Sequence, residues 1–451
     1  MNGLRMAPKR AHPIANTALA AAIDQAGWTH AATAQHINAV AAENGARLYY
    51  DRSTVGHWLT GTVPRPEGIS AAVEAFRRAL RRPDLTTADL GWPGVASSTG
   101  AADDPWQGDV VARLRVLGED DMLDRRTMLT AGAFSLAGLA APPPVGPARA
   151  SARRGGAGDV ERIRAMTRHM GDLDDLYGGG HARRAAAAYL VHDVAPLLHG
   201  TAGRARPDLF RAAAELTYLA AYMAMDAGVQ GLALRYYVQT VRLADEAGDR
   251  VLRATSLRSM AVQARELGHN REALALADAA ASALGGRAPG RTVAWVTGMQ
   301  AEAHAGVADR WDALALLRQT EAQLERVDSM PDSELVGNYR RESLEHQTGL
   351  ALTALGDHAA AATHYAASMQ TRRPAERRTR AVVGLRCAGA HLQAGDAERA
   401  AAAVLGLRQD LEGVVSARVR GELRQLRQGW QGCRSDAHVA EADALAASLL
   451  R

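Results

Sequence analysis

The chain has 451 residues, enough for two to four domains, and 47% of them are apolar, so a sizeable core can form. Aromatics are only 4%, strand-favouring residues are thin and Ala is about a fifth of the chain, which argues for helices and against a β-sandwich or barrel. The net charge is +4; the two cysteines, Cys387 and Cys433, are too few for a disulfide framework and fit a reducing cytoplasm. No apolar run reaches the roughly 18 to 20 residues of a membrane span, and residues 1–13 are too polar and basic for an export signal.

The excess charge sits at the front. Residues 1–82 hold ten basic side chains against five acidic ones, which leaves the rest of the chain near neutral. A basic segment joined to a neutral one fits an anionic partner such as nucleic acid. Apolar spacing predicts a first helix over Thr17–Gln25, ended by Gly27. Thr29 caps a second helix from His30 to about Ala42, with Ala34, Ile37 and Val40 or Ala41 inward. Asn44-Gly45 is a turn signal. A third helix follows, capped by Asp51 or Ser53, with Val55, Trp58 and Leu59 as its buried stripe and Gly61 as its end. Ile69 to Leu80 make a closing helix on Ile69, Val73, Phe76 and Leu80.

The pattern Val55-x-x-Trp58-x-x-Gly61-x-x-Pro64 resembles the recognition-helix exit of the repressor-like, or XRE-type, helix-turn-helix family, over residues 14–80. The stretch between the second and third helices is longer than the family's tight turn. The resemblance implies that the third helix enters the major groove of double-stranded DNA. Its outward residues would then be Arg52, Ser53, Thr54 and His57, with Arg52 suited to a bidentate pair on guanine and Ser53 and His57 to base edges. Thr54, Thr60, Thr62 and Arg65 are placed for phosphates, and Lys9 and Arg10 for a flexible arm on the backbone.

Residues 83–158 read as a linker rich in loop signals, such as Gly91-Trp92-Pro93-Gly94. Within it, Asp124 to Ala141 is similar to a twin-arginine export signal, but a domain precedes it. The expectation is a buried or partner-covered helix, then a mobile stretch over 142–158.

From about residue 205 the chain repeats. Ala221, Ala261, Ala301, Gly349 and Ala388 are each followed twelve positions later by alanine: Ala233, Ala273, Ala313, Ala361 and Ala400. A turn lies between, at Gly228, Gly268, Gly356 and Gly395, with Ala308 as the exception. Four positions past the second alanine come Tyr237, Ala277, Leu317, Tyr365 and Val404. Two antiparallel helices that cross closely need small side chains at the crossing and a larger one a turn on. The pattern resembles the tetratricopeptide (TPR) repeat, with longer spacing and without its usual Trp and Pro; armadillo-type pairs stay open. A further pair, from Asp159 to Leu176 and His181 to Leu198, precedes the array around the turn 177–180, and Val415 to Arg451 closes it. The Gly178–Gly180 run lacks the partners of a phosphate loop and is read as a hairpin turn.

The expected architecture is therefore all-α: a helix-turn-helix domain over 14–82, a linker over 83–158 and a TPR-like α-solenoid over 159–451. Domain order and the stretch 172–180 resemble actinobacterial, Streptomyces-type regulators of differentiation and secondary metabolism, which implies transcriptional control. No metal-binding, nucleophile or cofactor motif stands out, and His304 and His391, at the same repeat position, read as packing residues. The expectation is a cytoplasmic, non-enzymatic regulator that needs no cofactor, acts as a homodimer and binds a protein, peptide or small signal on the solenoid. The dimer interface would be the repeats or the apolar helix near 128–141. The competing expectation is an interaction scaffold whose first domain does not bind DNA.

Overall fold

The computed structural model describes residues 14–43, 46, 48–80, 82, 85–92, 106–122, 155–285, 288–327 and 339–451. The fold is all-α and solenoid-like, and the described residues contain no strand. No helix among them is long and apolar enough to cross a membrane. The chain divides into two compact units; residues 106–122 belong with the second.

The first unit holds α1 (Thr17–Gln25), α2 (His30–Glu43), α3 (Arg52–Leu59) and α4 (Pro66–Leu80). The caps follow the sequence: Thr29 Oγ1 accepts the Ala32 amide at 3.1 Å, and Gly27 leaves α1 with φ +66°. Helix α4 starts three residues earlier than its apolar spacing suggests, because Pro66 fits the first helical position, where no amide donor is needed. Arg78 ties α2 to α4: its guanidinium meets Glu43 at 2.7 Å and Glu74 at 2.8 Å.

This unit's core runs past residue 82. Leu85, Leu90 and Trp92 are buried with Leu19, Ile37, Val55, Trp58 and Phe76. Asn16 makes the connection. Its side-chain oxygen caps α1 at the Leu19 amide (2.9 Å), and its NH2 donates to the Leu90 carbonyl (2.9 Å). The Gly-Trp pair at 91–92 therefore closes the first core rather than opening the linker.

The range read as linker also contains α5 (Val110–Met122), which buries Val110, Val111, Leu114 and Leu117 in the second unit. Asp121 on α5 is ion-paired with Arg183 and accepts the Tyr236 hydroxyl at 3.0 Å. The twin-arginine-like segment 124–141, the stretch 142–154, Asn44-Gly45, Lys9 and Arg10 lie outside the described residues.

In the second unit α6 (Ala157–Tyr177) turns into α7 (Gly179–Tyr189). A π-helical turn at Leu190–Val194 joins α7 to α8 (Ala195–Gly200). Four antiparallel pairs follow: α9 (Arg206–Asp226) with α10 (Gln230–Ala247), α11 (Arg250–Glu266) with α12 (Asn270–Leu284), α13 (Gly290–Gly306) with α14 (Arg310–Glu325), and α15 (Arg341–Ala354) with α16 (His358–Thr371). Then come α17 (Arg377–Gln393) with α18 (Ala397–Gly406), the short α19 (Arg408–Leu411), α20 (Ala417–Gly429) and α21 (Ala437–Leu449).

The small residues of the repeat sit at the crossings. Ala221, Ala261, Ala301 and Ala388 on the first helices and Ala233, Ala273, Ala313, Ala361 and Ala400 on the second are all 0% exposed. Gly349 takes the place of alanine because the Tyr365 ring lies where its Cβ would be, at 2.6 Å.

The array closes on itself, which the sequence did not suggest. Helix α6 packs on both α9 and α17. Tyr177 O accepts the Val415 amide at 2.7 Å, and Asp226 binds the Gly179 amide (2.9 Å) and the Ser416 hydroxyl (2.7 Å). A Cβ on Gly178 would meet the Val415 carbonyl at 2.6 Å, and one on Gly179 the Met223 carbonyl at 2.4 Å. The glycine run is thus the point where the start of the array meets its last turns, backbone against backbone.

The turn at Ala308 gives a direct test of the repeat. Among the described residues it is the one non-glycine with a left-handed backbone, φ +63°, where the equivalent Gly268 has φ +82° with open space around it. Left-handed backbone costs an L-residue about 1 kcal/mol. Ala308→Gly is expected to stabilise the protein by about 1 kcal/mol and Gly268→Ala to destabilise it by a similar amount. Chemical unfolding of both variants checks this; shifts of the same sign would contradict it.

Candidate nucleic-acid interface

Helix α3 is held at both ends by groups outside it. At its start, Asp51 Oδ1 accepts the Thr54 amide and the Thr54 hydroxyl, both at 2.8 Å. These two bonds hold the exposed Asp51 carboxyl below its ordinary range. One residue earlier, the Asn38 side chain on α2 clamps the Tyr50 backbone: Nδ2 donates to Tyr50 O (2.8 Å) and Oδ1 accepts Tyr50 N (3.0 Å). This pair of bonds substitutes for a tight turn, so the long connection still delivers α3 in a fixed place against α2. At the other end Leu59 O accepts the Ala15 and Asn16 amides, at 2.8 and 3.0 Å.

Underneath, Val55, Trp58 and Leu59 are 0%, 3% and 5% exposed. Trp58 meets the rings of Tyr50 (4.8 Å, 83°) and Trp92 (5.9 Å, 88°) edge to face, a favoured aromatic arrangement. Its reading as a core residue is correct.

The opposite face of α3 carries Arg52, Ser53 and His57, all exposed. Among the described residues none of these three side chains, nor Arg65 before α4, has a hydrogen bond or ion pair. Thr60 and Thr62 are exposed at the end of the helix, and the Thr60 hydroxyl donates to His57 O at 2.9 Å. Thr54 differs: it is half-buried and its hydroxyl is committed to Asp51. Its geometry makes it a capping residue. Gly56 lies on the outward face between Ser53 and His57, and an added Cβ there would meet nothing within 4 Å. A mid-helix glycine with no packing reason costs about 1 kcal/mol relative to alanine.

The second unit buries several of its charges. Burial alone would push the Glu266 carboxyl up, but Arg418, Arg386 and Arg265 together bring it down to about 2. Arg386 also reaches Glu422 at 2.8 Å and the half-buried His346, whose ring desolvation and the neighbouring Arg386 hold well below its ordinary pKa. Arg378 meets Asp174 and Asp175 at 3.0 Å each and donates to the Tyr222 hydroxyl at 2.8 Å. Burial nevertheless pushes Asp174 up to about 7. His304, Asp309 and Asp312 bring ligand-type atoms within 4.8 Å of one another. There Asp309 caps α14 at the Asp312 amide and its carboxylate also faces His304 Nδ1 at 3.0 Å, which accounts for the group without an ion.

Residues 19–93 match the family described as the SP15 N-terminal domain. The match ends one residue past Trp92, where the first unit's described core ends, so both findings carry this domain beyond residue 82. No curated protein matches the chain.

Two predictions follow from these geometries. Asn38→Ala removes both bonds to Tyr50 and should cost roughly 1–3 kcal/mol of local stability. Hydrogen exchange at the α3 amides is the readout, and unchanged protection would show that the clamp does not hold the helix. Asp174 titrates higher in the folded protein than unfolded, so its contribution to stability falls as pH rises from about 4 to about 7. The melting-temperature difference between Asp174→Asn and the wild type should therefore move in the variant's favour from pH 5 to pH 8; a pH-independent difference would contradict the shift.

Proposed function

We propose that this protein is a DNA-binding transcriptional regulator of the XRE-like kind. Helix α3 reads base edges in the major groove, and the solenoid receives a partner or signal. The observation that carries the reading is the outward face of α3. A short helix is fixed at both ends and from below, while the side chains of Arg52, Ser53, His57 and the nearby Arg65 are exposed and have no hydrogen bond or ion pair among the described residues. Exposed cationic and hydroxyl groups on a rigid helix suit groove readout, because little freedom is lost on docking. The basic excess of residues 1–82 supports it through attraction to phosphate.

In this reading Arg52 pairs with a guanine, Ser53 and His57 touch neighbouring base edges, and Thr60, Thr62 and Arg65 approach phosphates. Thr54 acts through the cap that sets the pitch of the helix start. Gly56 lets the backbone of α3 lie close to the groove floor. A homodimer would set two such helices on two half-sites and multiply a specificity that one small domain cannot reach alone. The cytoplasm is the compartment this role and two cysteines fit.

The test is genome-wide chromatin capture followed by gel shift on the recovered sites. Wild type is expected to give discrete peaks and a salt-sensitive shift. Arg52→Ala should lose roughly 1–3 kcal/mol of discrimination between operator variants. Gly56→Ala is expected to raise thermal stability by about 1 kcal/mol yet weaken DNA binding. No peaks in the wild type, or full binding by the Arg52, Ser53 and His57 triple alanine variant, would overturn the reading in favour of an interaction scaffold.

A further inference from the structure

Two clefts of the second unit differ in their electrostatics. One, of about 480 Å³, is lined by Arg265, Arg386 and Arg418. Its arginines are matched: Glu266 and Glu422 take Arg386, Glu266 takes Arg418, and Glu302 lies 3.1 Å from Arg265. The other, of about 510 Å³, lies between α6, α9, α11, α13, α15 and α17. That volume is typical of a small-molecule site. Three of its arginines are matched, Arg378 with Asp174 and Asp175, and Arg372 and Arg373 with Glu376, while Asp172 and Glu342 also line it.

Arg258 breaks this pattern. It lines the second cavity from α11, half-buried, with its guanidinium over the Trp295 ring at 4.5 Å from the centroid. Among the described residues no carboxylate lies within ion-pair distance of it, and its buried Nε has no hydrogen-bond partner. Stacking on an aromatic face is worth on the order of 1 kcal/mol and does not replace the lost hydration of a cation. A guanidinium donor fork over an indole, with its buried Nε unpartnered, suits a carboxylate. Tyr218 and Tyr222 supply further aromatic surface to the same cavity.

We propose that this cavity binds a small aromatic carboxylate, with its carboxylate on the edge of Arg258 and its ring against the Trp295 and tyrosine side of the cavity. This deepens the signal-receiving half of the function proposed above and rests on it for its purpose. The site itself is defined without DNA.

The experiment is a thermal-shift and calorimetric titration of the full-length protein with naphthoate, and with naphthamide as the uncharged match, in the absence of DNA. Naphthoate is expected to bind and raise the melting temperature, and naphthamide to bind roughly 10–100-fold more weakly, the worth of a charge-assisted hydrogen bond. Arg258→Gln should abolish this preference while leaving the ligand-free melting temperature equal or higher, since it removes an unmatched charge. Arg258→Lys keeps the charge and should retain part of the preference, which separates loss of the anion site from loss of the fold. No binding of naphthoate, equal binding of acid and amide, or an unchanged preference in Arg258→Gln would overturn the proposal. Each of these leaves the gel-shift result of the α3 variants untouched, so the two readings fail separately.

Discussion

An eight-residue helix has almost no stability of its own in water, so α3 exists because the rest of the first unit holds it. Three constraints act together. Asn38 and Asp51 fix where it starts, the backbone of Ala15 and Asn16 fixes where it ends, and Trp58 fixes its rotation by wedging between Tyr50 and Trp92. Asn16 couples two of these, because the residue that holds the end of α3 also holds the turn that carries Trp92. Removing any one contact loosens the others. The outward face of α3 is therefore rigid without containing any bond of its own, which is the property a surface for recognition needs.

The second unit solves a different problem with the same economy. Helix pairs stacked in one direction leave an apolar face at each end, which repeat proteins usually cover with a capping helix. Here α6 spans from α9 to α17, and the glycines at 178 and 179 let its turn approach the backbones of Val415 and Met223. The buried Asp226 then satisfies the Gly179 amide and the Ser416 hydroxyl across that seam. Charges buried in this unit lose water, and Glu266 shows how partners offset that loss, with Arg386 and Arg418 within 3.0 Å and Arg265 at 3.9 Å.

Much of this was legible in the sequence, for physical reasons that differ by element. Caps and stripes marked α1 to α4 because the signals are local: Thr29, Asp51, Gly27 and Gly61 act within one turn of where they stand. The repeat was legible because a close crossing admits only Ala or Gly, and the turn inside it fixes the offset of twelve. What escaped depends on long-range contact. Leu85, Leu90 and Trp92 carry loop-like neighbours and join the core through distant residues: Leu90 through Asn16, 74 positions away, and Trp92 through Trp58. Helix α5 reads as an isolated amphipathic stretch until Arg183 and Tyr236 are seen on Asp121. Ring closure left only the glycine run as a trace, and a turn explains that run equally well. At the site, Arg52, Ser53 and His57, read as outward, are exposed, whereas Thr54 is half-buried with its hydroxyl on Asp51, because the spacing of a capping threonine is also that of an exposed one. Asn38 carried no local signal, since its role lies in bonds to a residue twelve positions on.

The arginines tie the two units together as chemistry. Nearly all the positive charge of this chain is arginine, with Lys9 its one lysine. Most arginines described inside the second unit are committed: Arg378, Arg386 and Arg418 each meet at least one carboxylate in a site where an unmatched cation is costly. Against that background, an arginine without a partner marks a place where the protein forgoes stability. On α3 the forfeit is small, because Arg52 is exposed to solvent. At Arg258 the forfeit is larger, because the group is half-buried and stacked, with one edge unmet. Natural sequences drift away from such positions unless something is gained by keeping them, since substitution by a neutral side chain is open at every generation. In the binding proposed above, that gain is an anion that takes the place of water on the Arg258 guanidinium beside Trp295.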